Sequence, residues 1–240
     1  MEVNKGLAPL PMAITTTSTS NLNSELLIGI AGYLAEVGYQ LMFYPGGLKK
    51  SISLTQGGRL SDGLIYVLLS RDWKRFKKEL ILEFKKIRQP FVIIHSTRES
   101  LPFPHIGLDT QKGGFLATEH LLNKHQYKEI GFVDTQFSYQ HHQDLFRGYK
   151  QALATYSVPF KRDLLFRCSS YLAPAGYKLM DNIISQRKKK LPRALLTVSL
   201  PLALGIMKKC NEVGIRIPED LALIAFGDTF DENYILSGLT

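Results

Sequence analysis

Residues 217–228 read Ile-Pro-Glu-Asp-Leu-Ala-Leu-Ile-Ala-Phe-Gly-Asp, and they combine a helix stop, a turn and a buried strand. Pro218 cannot continue a helix, because its ring removes a backbone donor and clashes with the preceding turn. Glu219 and Asp220 make the turn. Residues 221–226 then run without polar alternation, as a strand covered on both faces does. Ligands in open parallel sheets sit beyond the carboxyl ends of strands, so polar chemistry is expected near Gly227-Asp228.

Working outward, buried-strand segments recur at residues 12–16, 40–44, 63–69, 91–95, 130–134, 164–168, 194–198 and 221–226, with helical segments between most of them. The first helix, residues 23–37, places Leu26, Leu27, Ile30, Leu34 and Val37 on one face and stops at Gly38, which suits the left-handed position after a helix. A second, residues 71–88, has a stripe of Trp73, Phe76, Leu80, Phe84 and Ile87. Strand-helix alternation implies an α/β fold with parallel sheets and right-handed crossovers. The chain is expected to divide near Asp109 into two similar doubly wound lobes, residues 9–109 and 110–240, around a cleft.

Several segments in this order resemble the lactose-repressor/galactose-repressor (LacI/GalR) family. The turn, strand and acidic ending of residues 217–228 match its pattern. So do Gly107-Leu108-Asp109-Thr110 with Gly113-Gly114-Phe115-Leu116-Ala117-Thr118-Glu119-His120-Leu121-Leu122, at the family's crossover between subdomains. Lys128 to Val133 matches the next strand, and Gly148-Tyr149, Ala152-Leu153, Ala203-x-Gly205, Glu25-x-x-x-Gly29-Ile30 and Gly38-Tyr39-Gln40-Leu41 are smaller echoes. The resemblance runs from about Leu10 to Thr240. It implies a periplasmic-binding-protein-like core of two lobes that senses a small effector, works as a homodimer and reaches DNA through a helix-turn-helix reader. Residues 1–9 leave no room for that reader, so this chain alone is not expected to read DNA. The family's return crossover after a segment similar to residues 237–240 is also missing, so the fold is expected to be incomplete at the C-terminus. A gene fragment, a shortened chain or a degenerate relative would each fit.

Composition narrows the function classes. At 240 residues and 45% hydrophobic content the chain can bury one substantial core or two smaller ones. No run approaches the roughly 20 apolar residues of a membrane span, and the start lacks a signal-peptide pattern, so a cytoplasmic protein with no membrane partner is expected. The net charge of +9 invites a nucleic-acid reading. Its distribution argues against a basic module: residues 1–109 carry 13 basic and 9 acidic side chains, and residues 110–240 carry 17 and 12. Lys74, Lys77, Lys78, Lys85 and Lys86 read as the solvated face of the second helix, and Lys188-Lys189-Lys190 as a helix end. Cys168 and Cys210 lack metal-ligand spacing and read as buried free thiols.

Candidate ligand contacts follow from the strand ends. They are Thr16 and Ser18 after the first strand, Arg71 with Ser70 and Asp72 after the third, and His95 after the fourth. Gln136 and Tyr139 follow the fifth, Ser169-Ser170 the sixth, Ser199 the seventh and Asp228 the last. Asp109 joins them at the crossover, and Asp109, Ser199 and Asp228 lead the set. The resemblance also marks departures. The family's effector-binding arginine, three residues before the glycine of the Gly-Tyr pair, is Leu145 here, and Arg147 points roughly 200° away along the helix. The usual Asn-Asp after the seventh strand is Ser199-Leu200, and Gly227 replaces an acid. Thr197 to Leu200 with Phe226-Gly227-Asp228 is similar to the fructose-repressor branch, which implies a phosphorylated sugar.

Enzyme patterns fail. His141-His142 lack metal-spaced partners and read as surface histidines. Gly46-Gly47-Leu48-Lys49-Lys50-Ser51 lacks the spacer and second glycine of a phosphate loop and reads as a turn. No cofactor and no metal are expected. The leading expectation is a non-catalytic sugar or sugar-phosphate sensor of a transcriptional regulator. The alternatives are a solute-binding protein of a sugar transporter, an enzyme on a related sheet, or a degenerate relative that senses nothing.

Overall fold

A computed structural model describes residues 10–16, 24–45, 61–68, 70–95, 101–136, 139–186 and 191–227. The chain separates into two compact units, Met1–Leu108 and Asp109–Thr240.

In the first unit, β1 (Met12–Thr16), β2 (Leu41–Pro45), β3 (Gly63–Leu68), β4 (Phe91–His95) and β5 (His105–Gly107) form a parallel sheet of order β2-β1-β3-β4-β5. Helices α1 (Ser24–Glu36) and α2 (Ser70–Phe84) cover it. Every residue of β3 is buried, because successive side chains alternate between two covered faces. Tyr66 and Leu68 meet Leu80 and Phe84 of α2, whereas Ile65 and Val67 join Ile14 on the face packed by Leu26, Leu27 and Ile30 of α1. Gly38 has φ +80, as the helix stop requires. Val37 corrects the expected apolar face: it lies past the end of α1 and is 48% exposed. Lys77, Lys78, Lys85 and Lys86 are solvated, as their spacing predicts. The strand β5 has no sequence signal, since three exposed edge residues carry no apolar run.

The second unit begins with α3 (Thr110–Glu119), which passes into a π-helical turn, His120–Lys124. Then come β6 (Ile130–Thr135), α4 (Gln140–Thr155), β7 (Leu165–Cys168), α5 (Ala173–Gln186), β8 (Ala194–Thr197), α6 (Leu200–Glu212) and β9 (Ala222–Ala225). The strands are parallel in the order β7-β6-β8-β9. Leu164 falls in a short 3-10 turn ahead of β7 rather than in the strand. One continuous core joins Phe132, Val133, Leu145, Tyr149, Met180, Leu195, Leu196, Ile206 and Leu223.

Two helix pairs close over this sheet at glycines. A Cβ on Gly148 would strike the Gln111 carbonyl and come within 2.6 Å of the Phe115 nitrogen, and one on Gly205 would strike the Ala173 carbonyl and come within 2.7 Å of the Tyr177 nitrogen. Their partners Gly114 and Gly176 meet the Leu145 and Leu202 carbonyls in the same way. Cys168 and Cys210 are buried free thiols, and burial pushes each thiol pKa up to about 11. No helix among the described residues is long and apolar enough to cross a membrane.

Candidate functional site

In each sheet the chain leaves one central strand in one direction and the next in the other, between β1 and β3 and between β6 and β8. The carboxyl ends flanking such a switch point are where a doubly wound sheet opens a ligand crevice. Of the expected contacts, Thr16 ends one of these strands, and Arg71, Gln136 and Ser199 follow the others in the chain.

In the second unit the end of β6 is the most developed. Asp134 Oδ1 accepts the Thr135 backbone N–H at 2.7 Å and lies 3.3 Å from His142 Nδ1. Thr135 Oγ1 is 3.4 Å from the same nitrogen. His141 stands edge-on to His142 with ring centroids 4.4 Å apart, and Tyr139 stacks on His141 at 5.6 Å. Burial first, and His142 second, lower the His141 pKa to about 4 against an opposing pull from Asp134, so this imidazole is neutral near pH 7. The expectation of two surface histidines is therefore corrected. His142 is 4% exposed, because the pair lies in the first turn of α4, which turns it onto the sheet. Sequence spacing missed it because its carboxylate partner sits on the preceding strand, eight residues away, with no periodic signature. Gln136 is exposed beside this group and donates its backbone N–H to the Cys168 carbonyl at 2.9 Å.

The residues one turn along α4 account for a departure seen in the sequence. Leu145 is buried in the core. Asp144 is 1% exposed, with Oδ1 accepting from Arg147 Nη1 at 2.5 Å and from Gln140 Nε2 at 3.3 Å. Its Oδ2 is buried without a hydrogen-bond partner. Arg147 is thus committed to a neighbour on its own helix.

Asp109 and Ser199 both hold helix ends. Asp109 is exposed and caps α3 through the Lys112 backbone N–H at 3.0 Å. Ser199 caps α6 through the Leu202 backbone N–H at 3.5 Å and donates its hydroxyl to the Tyr171 carbonyl at 3.1 Å, tying the end of β8 to the loop after β7. Gly227 adopts φ +108, a backbone conformation that an acidic side chain rarely takes. In the first unit, Thr16 ends β1 in register with Pro45 and Val67, Arg71 lies in the first turn of α2, and His95 is buried at the end of β4 with its ring 5.1 Å from that of His105. Ser18, Asp228, the turn at 46–51 and Lys188 to Lys190 lie outside the described residues. Among the described residues no three His, Cys, Asp or Glu side chains gather as a metal site.

Residues 118–240 match the periplasmic binding protein-like domain. The HTH-type transcriptional repressor PurR of Actinobacillus pleuropneumoniae serotype 3 is 22% identical over 232 residues, covering 95% of this chain and 66% of the relative. PurR of Vibrio cholerae serotype O1 is 26% identical over 236 residues, with the same coverages. The chain thus spans about two thirds of the length of these curated relatives. Among solved structures, the Escherichia coli transcriptional repressor AscG superposes with a TM-score of 0.73 at 21% identity, over 92% of this chain and 79% of that one. A LacI-family regulatory protein from Chloroflexus aggregans gives 0.74 at 21%, over 90% and 78%. A sugar-binding LacI-family regulator from Escherichia coli complexed with phosphate gives 0.71 at 21%, over 92% and 79%.

Proposed function

The chain belongs to the periplasmic binding protein-like family, as the effector-binding core of LacI/GalR type, and from that premise we propose that it senses a small polar effector for a transcriptional regulator. The observation that carries the reading is the polar group at the end of β6, where Asp134, Tyr139, His141 and His142 gather beside a sheet switch point. Such a group offers donors, acceptors and ring faces, which suit a hydroxylated ligand such as a sugar. A phosphorylated sugar is the finer form of the proposal. Its phosphate would take Arg71 as cation, since Leu145 replaces the family arginine and Arg147 is held by Asp144.

In this reading the ligand is contacted by Thr16, Ser18, Arg71, His95, Asp109, Gln136, Tyr139, Ser199 and Asp228. Binding favours one conformation of the core over another by differential affinity. A homodimer carries the change to helix-turn-helix readers, and no bond is made or broken.

Isothermal calorimetry against hexoses and hexose phosphates tests the proposal. Saturable binding to one of these classes is expected, weakened by Asp109→Ala, Ser199→Ala and Asp228→Ala. Losing either cap also costs about 1 kcal/mol of stability, so affinity is compared only where the variant is folded at the assay temperature. No binding by either class, or binding indifferent to all three substitutions, would overturn the assignment.

A further inference from the structure

A second polar feature of the same unit stands beside the amino ends of the strands, away from the switch point. The π-helical turn His120–Lys124 brings His120 and His125 together, with their Nε2 atoms 3.1 Å apart and their rings nearly edge-on at 4.9 Å. A regular α-helix does not align residues five apart in this way, whereas the wider π turn does, and such turns cluster at functional positions. Behind His125 lies the Tyr127 ring, stacked at 5.4 Å, and behind that the Arg193 guanidinium at 5.2 Å. Arg193 is itself anchored to the Glu219 and Asp220 carbonyls at 3.2–3.3 Å, so the imidazole is oriented from behind. Both histidines line a cavity of about 410 Å³ with Leu121, Pro218, Glu219 and Ile224 among its walls.

We propose that His120 and His125 form a two-imidazole chelate for a divalent d-block cation, with Zn2+, Ni2+ and Cu2+ as the class of ligand. The bond lengths fit. With metal–nitrogen bonds of about 2.0–2.1 Å, nitrogens 3.1 Å apart subtend roughly 100° at the ion, between octahedral and tetrahedral values. Imidazole suits these metals, and the remaining positions are open to water from the cavity. Without metal the two nitrogens can share one proton in a hydrogen bond, and the ion would displace it. Glu219 on the cavity wall contributes negative charge of the kind a dication needs.

Calorimetry with zinc chloride and nickel chloride on the chain prepared without a polyhistidine tag is the test. One saturable equivalent is expected. His120→Gln and His125→Gln should each weaken it by more than the roughly tenfold that loss of an outer-shell partner costs. A wild-type measurement makes the outcome independent of variant folding: in 15N spectra of the histidine rings, Zn2+ should shift Nε2 of His120 and His125 and leave the other four histidines in place. Absence of stoichiometric uptake, affinity unchanged in both variants, or shifts confined to other rings would overturn the proposal. The site shares no residue with the proposed effector contacts, so either reading can fail without the other.

Discussion

His141 is the residue on which the acid behaviour of the second unit should turn. Its pKa is lowered to about 4 by burial and by His142, so between that value and the usual one near 6.5 the unfolded chain binds a proton that the folded chain refuses. Stability is therefore full above about pH 6.5 and is lost as the pH falls towards 4, by at most about 3 kcal/mol because the ring is only partly enclosed. Urea midpoints measured from pH 7 to pH 4 should fall, and His141→Gln should flatten that fall; an unchanged slope would separate His141 from it. Two other residues show how a departure from the family pattern becomes legible only in place. Leu145 enters the core where the family pattern has an arginine, and Gly227 takes φ +108 where that pattern has an acid. Both are visible as letters in the sequence, but their physical reasons are packing and backbone conformation.

At the scale of elements, the small glycine echoes in the sequence turn out to be contact points between helices. Gly114 with Gly148 brings α3 onto α4, and Gly176 with Gly205 brings α5 onto α6, each through a backbone carbonyl that leaves no room for a methyl group. Gly148→Ala and Gly205→Ala should each lose about 1–3 kcal/mol in urea unfolding, despite the roughly 1 kcal/mol that alanine gains within a helix. A variant as stable as the parent would show that the helices can separate without penalty. The central strands were readable as apolar runs because helices cover both faces. The edge strand β5 was not, because three exposed residues do not generate a pattern. Ser199 stands out for its place after a strand and Asp109 for its place at the crossover, and both also cap the helices that begin there.

Across the whole molecule, two units hold separate cores, and the order of each sheet sets which strands are sheltered. Hydrogen exchange should accordingly be slowest in β3, β6 and β8 and fastest in β5 and β7 at the sheet edges; equal protection at β3 and β5 would contradict this layout. The sequence by itself determined the α/β class, the recurrence of buried strands and the stop at Gly38, because apolar periodicity and backbone-restricted residues act locally and leave regular marks. Only the tertiary structure decided that His142 is buried against Asp134, that Arg147 is bound by Asp144, and that His120 and His125 meet across a π turn. Those arrangements depend on strand register, helix rotation and one irregular turn, and no spacing along the chain encodes the distances they produce.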